Sequence, residues 1–285
     1  MSTVAEFLEE IIDRIPEEKA SRLYPALNRA LRILAKRLYV LESHLVKDEL
    51  SVPIYASVEY AVDTLAFVSN QPEASDTITD SAAQFVAEGF QAGMPIETDF
   101  TTNPGPYRLT AVAVGTLTLA STDILTAQTA GDDYTLASRD DFGYLPSDFW
   151  GFFGKAKPYV YGKTWPLLPL PSQDEKLAWG SAGEARFYEL IGDRLYVTPA
   201  TSSDITVKGL YFKRPAKITK ETDIIPYQEL FDDILQEYLV EILNAGTATG
   251  AAIQDQLMLS VDLVVSKMPQ KAAASMTQAI DWNNL

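Results

Sequence analysis

The sequence predicts an α+β fold: an antiparallel helical bundle with a small three-stranded β-meander and an inserted all-β domain, barrel or sandwich. Three observations predict it. Toward both ends of the chain, apolar residues recur at gaps of three and four, the stripe of a helix with one buried face. From Ser75 to Ser138 the chain turns rich in Thr, Ala and Gly and alternates with period two. Between residues 186 and 213, three strand-like runs follow one another across short turns. The implied division is a helical core of residues 1–72 and 139–285, with the meander at 186–213 and a C-terminal arm at 269–285. Residues 73–138 form the insertion.

Taken in order, residues 3–15 place Val4, Phe7, Leu8, Ile11, Ile12 and Ile15 on one helical face. Pro16 ends that helix, because proline cannot donate to a helix interior. A longer helix is expected from Tyr24 to Leu45, with Leu27, Leu31, Leu34, Leu38, Leu41 and Leu45 as its stripe and Pro25 in the tolerant first turn. Residues 53–69 mix aromatic and β-branched residues with a helical undertone and stay ambiguous. In the insertion, the runs 77–81, 94–100, 106–114, 115–122 and 133–138 read as strands, punctuated by Gly89, Gly93, Asn103-Pro104-Gly105, Gly115 and Gly131-Asp132.

Residues 141–171 are dense in aromatics and prolines, and so apolar a segment is expected to pack rather than lie in water. The meander follows as 186–190, 194–198 and 205–213, with Gly209 marking a bulge or a close backbone approach. Beyond it, residues 226–244 form the most regular helix. Tyr227, Leu230, Phe231, Ile234, Tyr238, Leu239, Ile242 and Leu243 are its stripe, and Glu229, Asp232, Asp233, Glu237 and Glu241 its other face. A last helix, 251–267, stops at Pro269.

Charge is the extreme feature of the composition. The 285 residues hold 39 acids and 23 bases, a formal net charge of -16. Such a surface argues against gripping nucleic acid through its phosphates, which takes Lys and Arg. Yet Lys19, Arg22, Arg29, Arg32, Lys36 and Arg37 fall in one stretch that contains no acid, while the 226–244 helix contains no base. Two readings stay open. Each helix has a solvated charged face, or Arg29, Arg32 and Lys36 meet Glu237 and Glu241, within one subunit or between neighbours.

Little else suggests chemistry. Cysteine is absent, which excludes disulfides and thiolate sites, and His44 is the single histidine, which excludes a multi-histidine metal site. Asp141-Phe142-Gly143 spells the magnesium-binding triplet of kinases, but without the partner motifs it would need, and Gly131-Asp132-Asp133 echoes a polymerase turn, but the residues around it read as a hairpin. No cofactor-binding pattern, signal peptide or membrane span is recognised, and the expectation is a non-enzymatic protein without cofactors.

A family resemblance rests on short motifs: Leu145-Pro146-Ser147-Asp148-Phe149, the strand pair from Tyr188 through Arg194-Leu195-Tyr196-Val197-Thr198-Pro199, then Leu210-Tyr211-Phe212-Lys213-Arg214-Pro215, and Asp223-Ile224-Ile225-Pro226. These resemble the head-to-tail adaptor (connector) proteins of tailed, especially short-tailed, bacteriophages. Thr77-Ile78-Thr79, Gly89-Phe90-Gln91-Ala92-Gly93 and Thr116-Leu117-Thr118-Leu119 are similar to a module inserted in such proteins.

The resemblance implies a structural virion protein, made in the host cytoplasm and placed at the neck. It would form a ring, usually of twelve copies, beneath the portal protein, extending the DNA channel without holding the DNA. The ring would also present a platform for tail nozzle, tube or fibre proteins. A C-terminal segment docking onto the portal is implied as well, which Met276, Ile280, Trp282 and Leu285 would suit better than a frayed terminus does. The alternative is a virion binding module whose β domain recognises a glycan or another virion protein, with Phe85, Phe90, Phe100, Tyr107 and Tyr134 as the aromatics available.

Overall fold

The computed structural model describes residues 3–15, 21–41, 43–153, 157–171, 183–244 and 250–267. Its helices are α1 (Val4–Glu9), α2 (Leu23–Val40), α3 (Gln228–Asn244) and α4 (Gly250–Lys267). Its strands are β1 (Lys47–Ile54), β2 (Glu59–Val62), β3 (Leu65–Val68), β4 (Thr77–Asp80), β5 (Pro95–Thr98), β6 (Tyr107–Ala113), β7 (Thr116–Leu119) and β8 (Tyr134–Ser138). The series continues with β9 (Phe142–Tyr144), β10 (Phe149–Phe152), β11 (Tyr159–Val160), β12 (Leu168–Pro169), β13 (Phe187–Ile191), β14 (Arg194–Thr198) and β15 (Ile205–Lys213).

The expected α+β framework of an antiparallel helical bundle is corrected. Strand exceeds helix, 32% against 26%, and the architecture is mostly β, with two four-stranded sheets and one of seven strands among the described residues. The physical reason is one of length. Helices of 17 or 18 residues dominate a reading by periodicity, whereas strands of two to four residues such as β9 to β12 are too short to establish a period of two. The meander is corrected too. Strands β13 and β14 form the expected hairpin, but β14 continues onto β9 and β13 onto β12, while β15 belongs to another sheet, with β1, β10 and β11. The ambiguous run at 53–69 resolves into strands, without a helix.

The chain divides into two compact units. The first comprises Met1–Asp48, Asp148–Ala156 and Leu210–Leu285, and the second Glu49–Ser147 and Lys157–Gly209. In the first, α2, α3 and α4 pack on one another, and the buried set runs from Val4 and Phe7 through Leu27, Leu31, Leu34 and Leu38 to Phe231, Leu235, Leu239 and Val261. Helix α1 opens with Thr3 and Glu6 bonding each other's backbone N–H at 3.3 and 2.7 Å, a reciprocal cap that satisfies two orphan donors. It ends at Glu9 rather than at Ile15, and a single 3-10 turn (Ile12–Arg14) then leaves Ile12 half exposed. In α3, Leu230 faces outward and Leu235 inward, a shift of the stripe expected from sequence.

The second unit is built on the seven-stranded sheet, in the order β2-β8-β5-β6-β7-β4-β3. Its terminal strands, β2 and β3, are consecutive in the chain. Val62 and Leu65 therefore lie within about 11 Å of each other, three Cα steps, whereas the edges of a flat sheet of this size would be roughly 29 Å apart. The sheet must curl into a barrel. Alternate residues point inward, and Leu65, Phe67, Ile78, Phe85, Ile96, Leu109, Leu117, Leu119 and Leu136 fill it.

Strands β2 and β3 are not paired with each other, and side chains close that seam. Asp80, 4% exposed at the end of β4, accepts from the Tyr60 hydroxyl of β2 at 2.9 Å, the Thr64 hydroxyl of the intervening turn at 2.5 Å, and the backbone N–H of Ala82 and Gln84. Burial alone would raise the Asp80 carboxyl, but these four donors outweigh it and hold the group below the usual carboxylate range. Tyr60 is pushed up to about 12, chiefly by desolvation and then by its bond to Asp80.

A stack of cations and rings joins this barrel to β9 and β14. Arg108 lies 4.9 Å over Tyr144, Arg194 5.1 Å over Phe142, and Arg139 5.6 Å over Phe142.

Candidate functional site

The sequence singled out the basic face of α2, and the structure turns it into the wall of a groove. The apolar stripe of α2 faces the core, so Arg29, Arg32 and Lys36 point outward and are exposed. One polar residue, Asn28, interrupts the buried side. Its amide donates to the Ile218 carbonyl at 2.8 Å and accepts from the Ile218 N–H at 2.8 Å. A side-chain amide thus pairs with the backbone as a neighbouring strand would, satisfying both polar groups of a buried residue. Ile218 is thereby pinned to α2, and the exposed Lys217 is carried to the side of Arg29 and Arg32. Asp223 shapes the same connector by accepting from the N–H groups of Thr219 and Lys220 at 2.7 and 3.0 Å, bonds that lower its pKa.

The resulting groove, of about 600 Å³, is lined by Tyr24, Pro25, Asn28, Arg29, Arg32, Lys217, Ile218 and Thr219. A second hollow of about 240 Å³ adjoins it across Pro25 and Arg29, with Arg22 on one side and Tyr238, Ile242 and Leu243 on the other. Burial raises the Tyr238 phenol, and nearby Arg29 opposes that shift. Among the described residues that line the two cavities there is no carboxylate. In a chain of net charge -16 this local excess of cations is the exception, and its chemistry is anion recognition, of a carboxylate or a phosphate.

The partners expected for these cations are not brought to them within the chain. Glu237 and Glu241 are exposed on the outward face of α3, in line with Asp233. Among the described residues, none of Arg29, Arg32, Lys36, Lys217, Asp233, Glu237 and Glu241 makes an ion pair. The cation of α2 that does pair is Arg37, which grips Asp262 of α4 through both carboxylate oxygens. The sequence reading missed that bond and Lys217. An i, i+4 pattern finds neither, because both join segments far apart in the chain. The arm residues Met276, Ile280, Trp282 and Leu285 lie outside the described residues.

Other motifs fall into structural places. Phe142 is fully buried in β9 and Asp141 is held by Arg139, which also pairs with Glu97. Gly131-Asp132-Asp133 lies in the loop between β7 and β8, not in a hairpin. Of the barrel aromatics, Phe85, Phe90, Tyr107 and Tyr134 are buried in the core, and Phe100 stacks on Phe67 at 5.5 Å. Among the described residues, no group of three or more His, Asp or Glu side chains is placed to hold a metal ion, and no helix is long and apolar enough to cross a membrane.

No family model matches the chain, and no curated protein is significantly similar to it.

Proposed function

We propose that this is a structural virion protein, a head-to-tail adaptor that assembles as a ring beneath the portal of a tailed phage. In this reading the ring extends the DNA channel and offers a platform to tail proteins. The observation that carries the reading is the separation of exposed charge in the first unit: Arg29, Arg32 and Lys36 on α2 and Asp233, Glu237 and Glu241 on α3, with no ion pair between the two sets among the described residues. Faces of opposite sign on one subunit suit a head-to-tail contact, which closes into a ring when the rotation allows it. Two of the motifs behind the family resemblance also meet in space. Asp148 accepts from the Tyr211 hydroxyl at 2.8 Å, and its carbonyl accepts from the Arg214 N–H at 2.6 Å. The overall negative charge suits a channel through which DNA must slide without adhering.

The test is co-sedimentation with purified portal rings, followed by negative-stain microscopy. The expected result is a second ring stacked on the portal, and immunogold label at the neck of intact particles. A protein that neither binds portal nor is found in the particle is not an adaptor.

A further inference from the structure

We infer that the groove between α2 and residues 217–219 is a socket for the acidic ridge of α3 from a second copy of this chain. The inference rests on the ring reading but names its contact. Three features of the two surfaces match.

The first is spacing. Asp233, Glu237 and Glu241 follow one another at about 6 Å along a helix, while Arg29, Arg32 and Lys36 step by about 4.5 and 6 Å, so a packed pair of helices brings each carboxylate near a cation. Lys217 faces the same space from the opposite wall and can bracket the ridge. The second is apolar fit. Leu230 heads the ridge and is 46% exposed, and the groove offers Tyr24 and Pro25 beside its cations. The third is selectivity. With a net charge of -16, two copies repel except where a basic surface meets an acidic one, so this contact sets the orientation of association as well as adding to it. A long nucleic acid fits the same chemistry less well, because the rest of the surface repels it.

Two variants decide the matter. Variant one, R29E/R32E/K217E, has an acidic groove and an acidic ridge; variant two, D233K/E237K/E241K, has a basic groove and a basic ridge. Circular dichroism and thermal melting establish that each is folded. By native mass spectrometry and sedimentation, the wild type should self-associate, more weakly as salt rises. Each variant alone should lose about tenfold or more in self-association, as expected for several exposed pairs acting together. Mixed in equal amounts, the two should assemble again in alternation, giving even-numbered species.

A wild type that stays monomeric at high concentration overturns the proposal, as do folded variants that assemble like the wild type or a mixture that fails to restore assembly. A labelled DNA duplex that binds wild type and is lost with variant one reassigns the groove to phosphate and equally overturns it. Portal binding is scored separately: assembly that follows the charges while portal is ignored retains the socket and removes the adaptor reading.

Discussion

Asn28 and Ile218, 190 positions apart, exchange two hydrogen bonds of 2.8 Å in the interior of the first unit. The exchange pins the connector that introduces α3 onto α2, so a buried amide helps to hold the wall of the basic groove. Replacing Asn28 with Ala leaves the Ile218 N–H and C=O buried without partners, at about 1–3 kcal/mol for each unsatisfied group. We expect Asn28→Ala to destabilise the protein by about 2–4 kcal/mol in urea unfolding. An unchanged midpoint would show that the connector is held by other contacts.

Asp80 closes the barrel seam, and its pKa direction makes that seam sensitive to acid. Because the folded state holds the carboxyl below its ordinary value, its contribution is present above the unfolded pKa and is lost as pH falls through the folded one. Tyr60 runs the other way: raised to about 12, it contributes fully below its ordinary value near 10 and loses that contribution as pH climbs toward 12. Asp80→Asn should therefore flatten the acid limb of a stability-against-pH curve. An acid limb that keeps its slope in the variant would locate the sensitivity elsewhere.

Gly143 lies against β1 with no room for a side chain. A Cβ there would stand 2.6 Å from Val52 Cγ1 and closer still to the Pro53 carbonyl oxygen, which is backbone and cannot yield cheaply. Gly143→Ala is expected to cost about 2–4 kcal/mol, read as a fall in melting temperature. Gly151→Ala, with nothing within 4 Å of its Cβ, serves as the control. Equal effects of the two would contradict the packing described for β9.

Arg37 and Asp262 tie α2 to α4 through a two-pronged ion pair, each side chain about one-third exposed. Screening at that exposure limits the coupling to about 0.5–1 kcal/mol. A double-mutant cycle with Arg37→Met and Asp262→Asn measures it directly. Asp262 is lowered chiefly by its hydrogen bond to Arg37, so the coupling should be full above the ordinary carboxylate range, fade in acid, and shrink in high salt. Coupling insensitive to both would argue that the pair contributes through packing alone.

Much was legible from local pattern. The Leu27, Leu31, Leu34 and Leu38 stripe is buried where a 3.6-residue period places it. The five runs of alternating residues between Thr77 and Ser138 are strands, because a period of two is local information. The basic stretch on α2 could be read directly, since exposed charge needs no partner to be seen. What only the tertiary structure decided is everything that joins distant positions. The pairing of β15 with β1, β10 and β11 instead of its hairpin neighbours, the curl of seven strands with Asp80 at the seam, and the placing of Lys217 beside Arg29 and Arg32 all depend on it. Such contacts are set by which buried groups can satisfy one another across the fold, and no period in the chain encodes that choice. Amphipathic stripes and alternation told which faces were to be buried, but strands as short as β9 to β12 carry no pattern of their own, and their places came only with the fold.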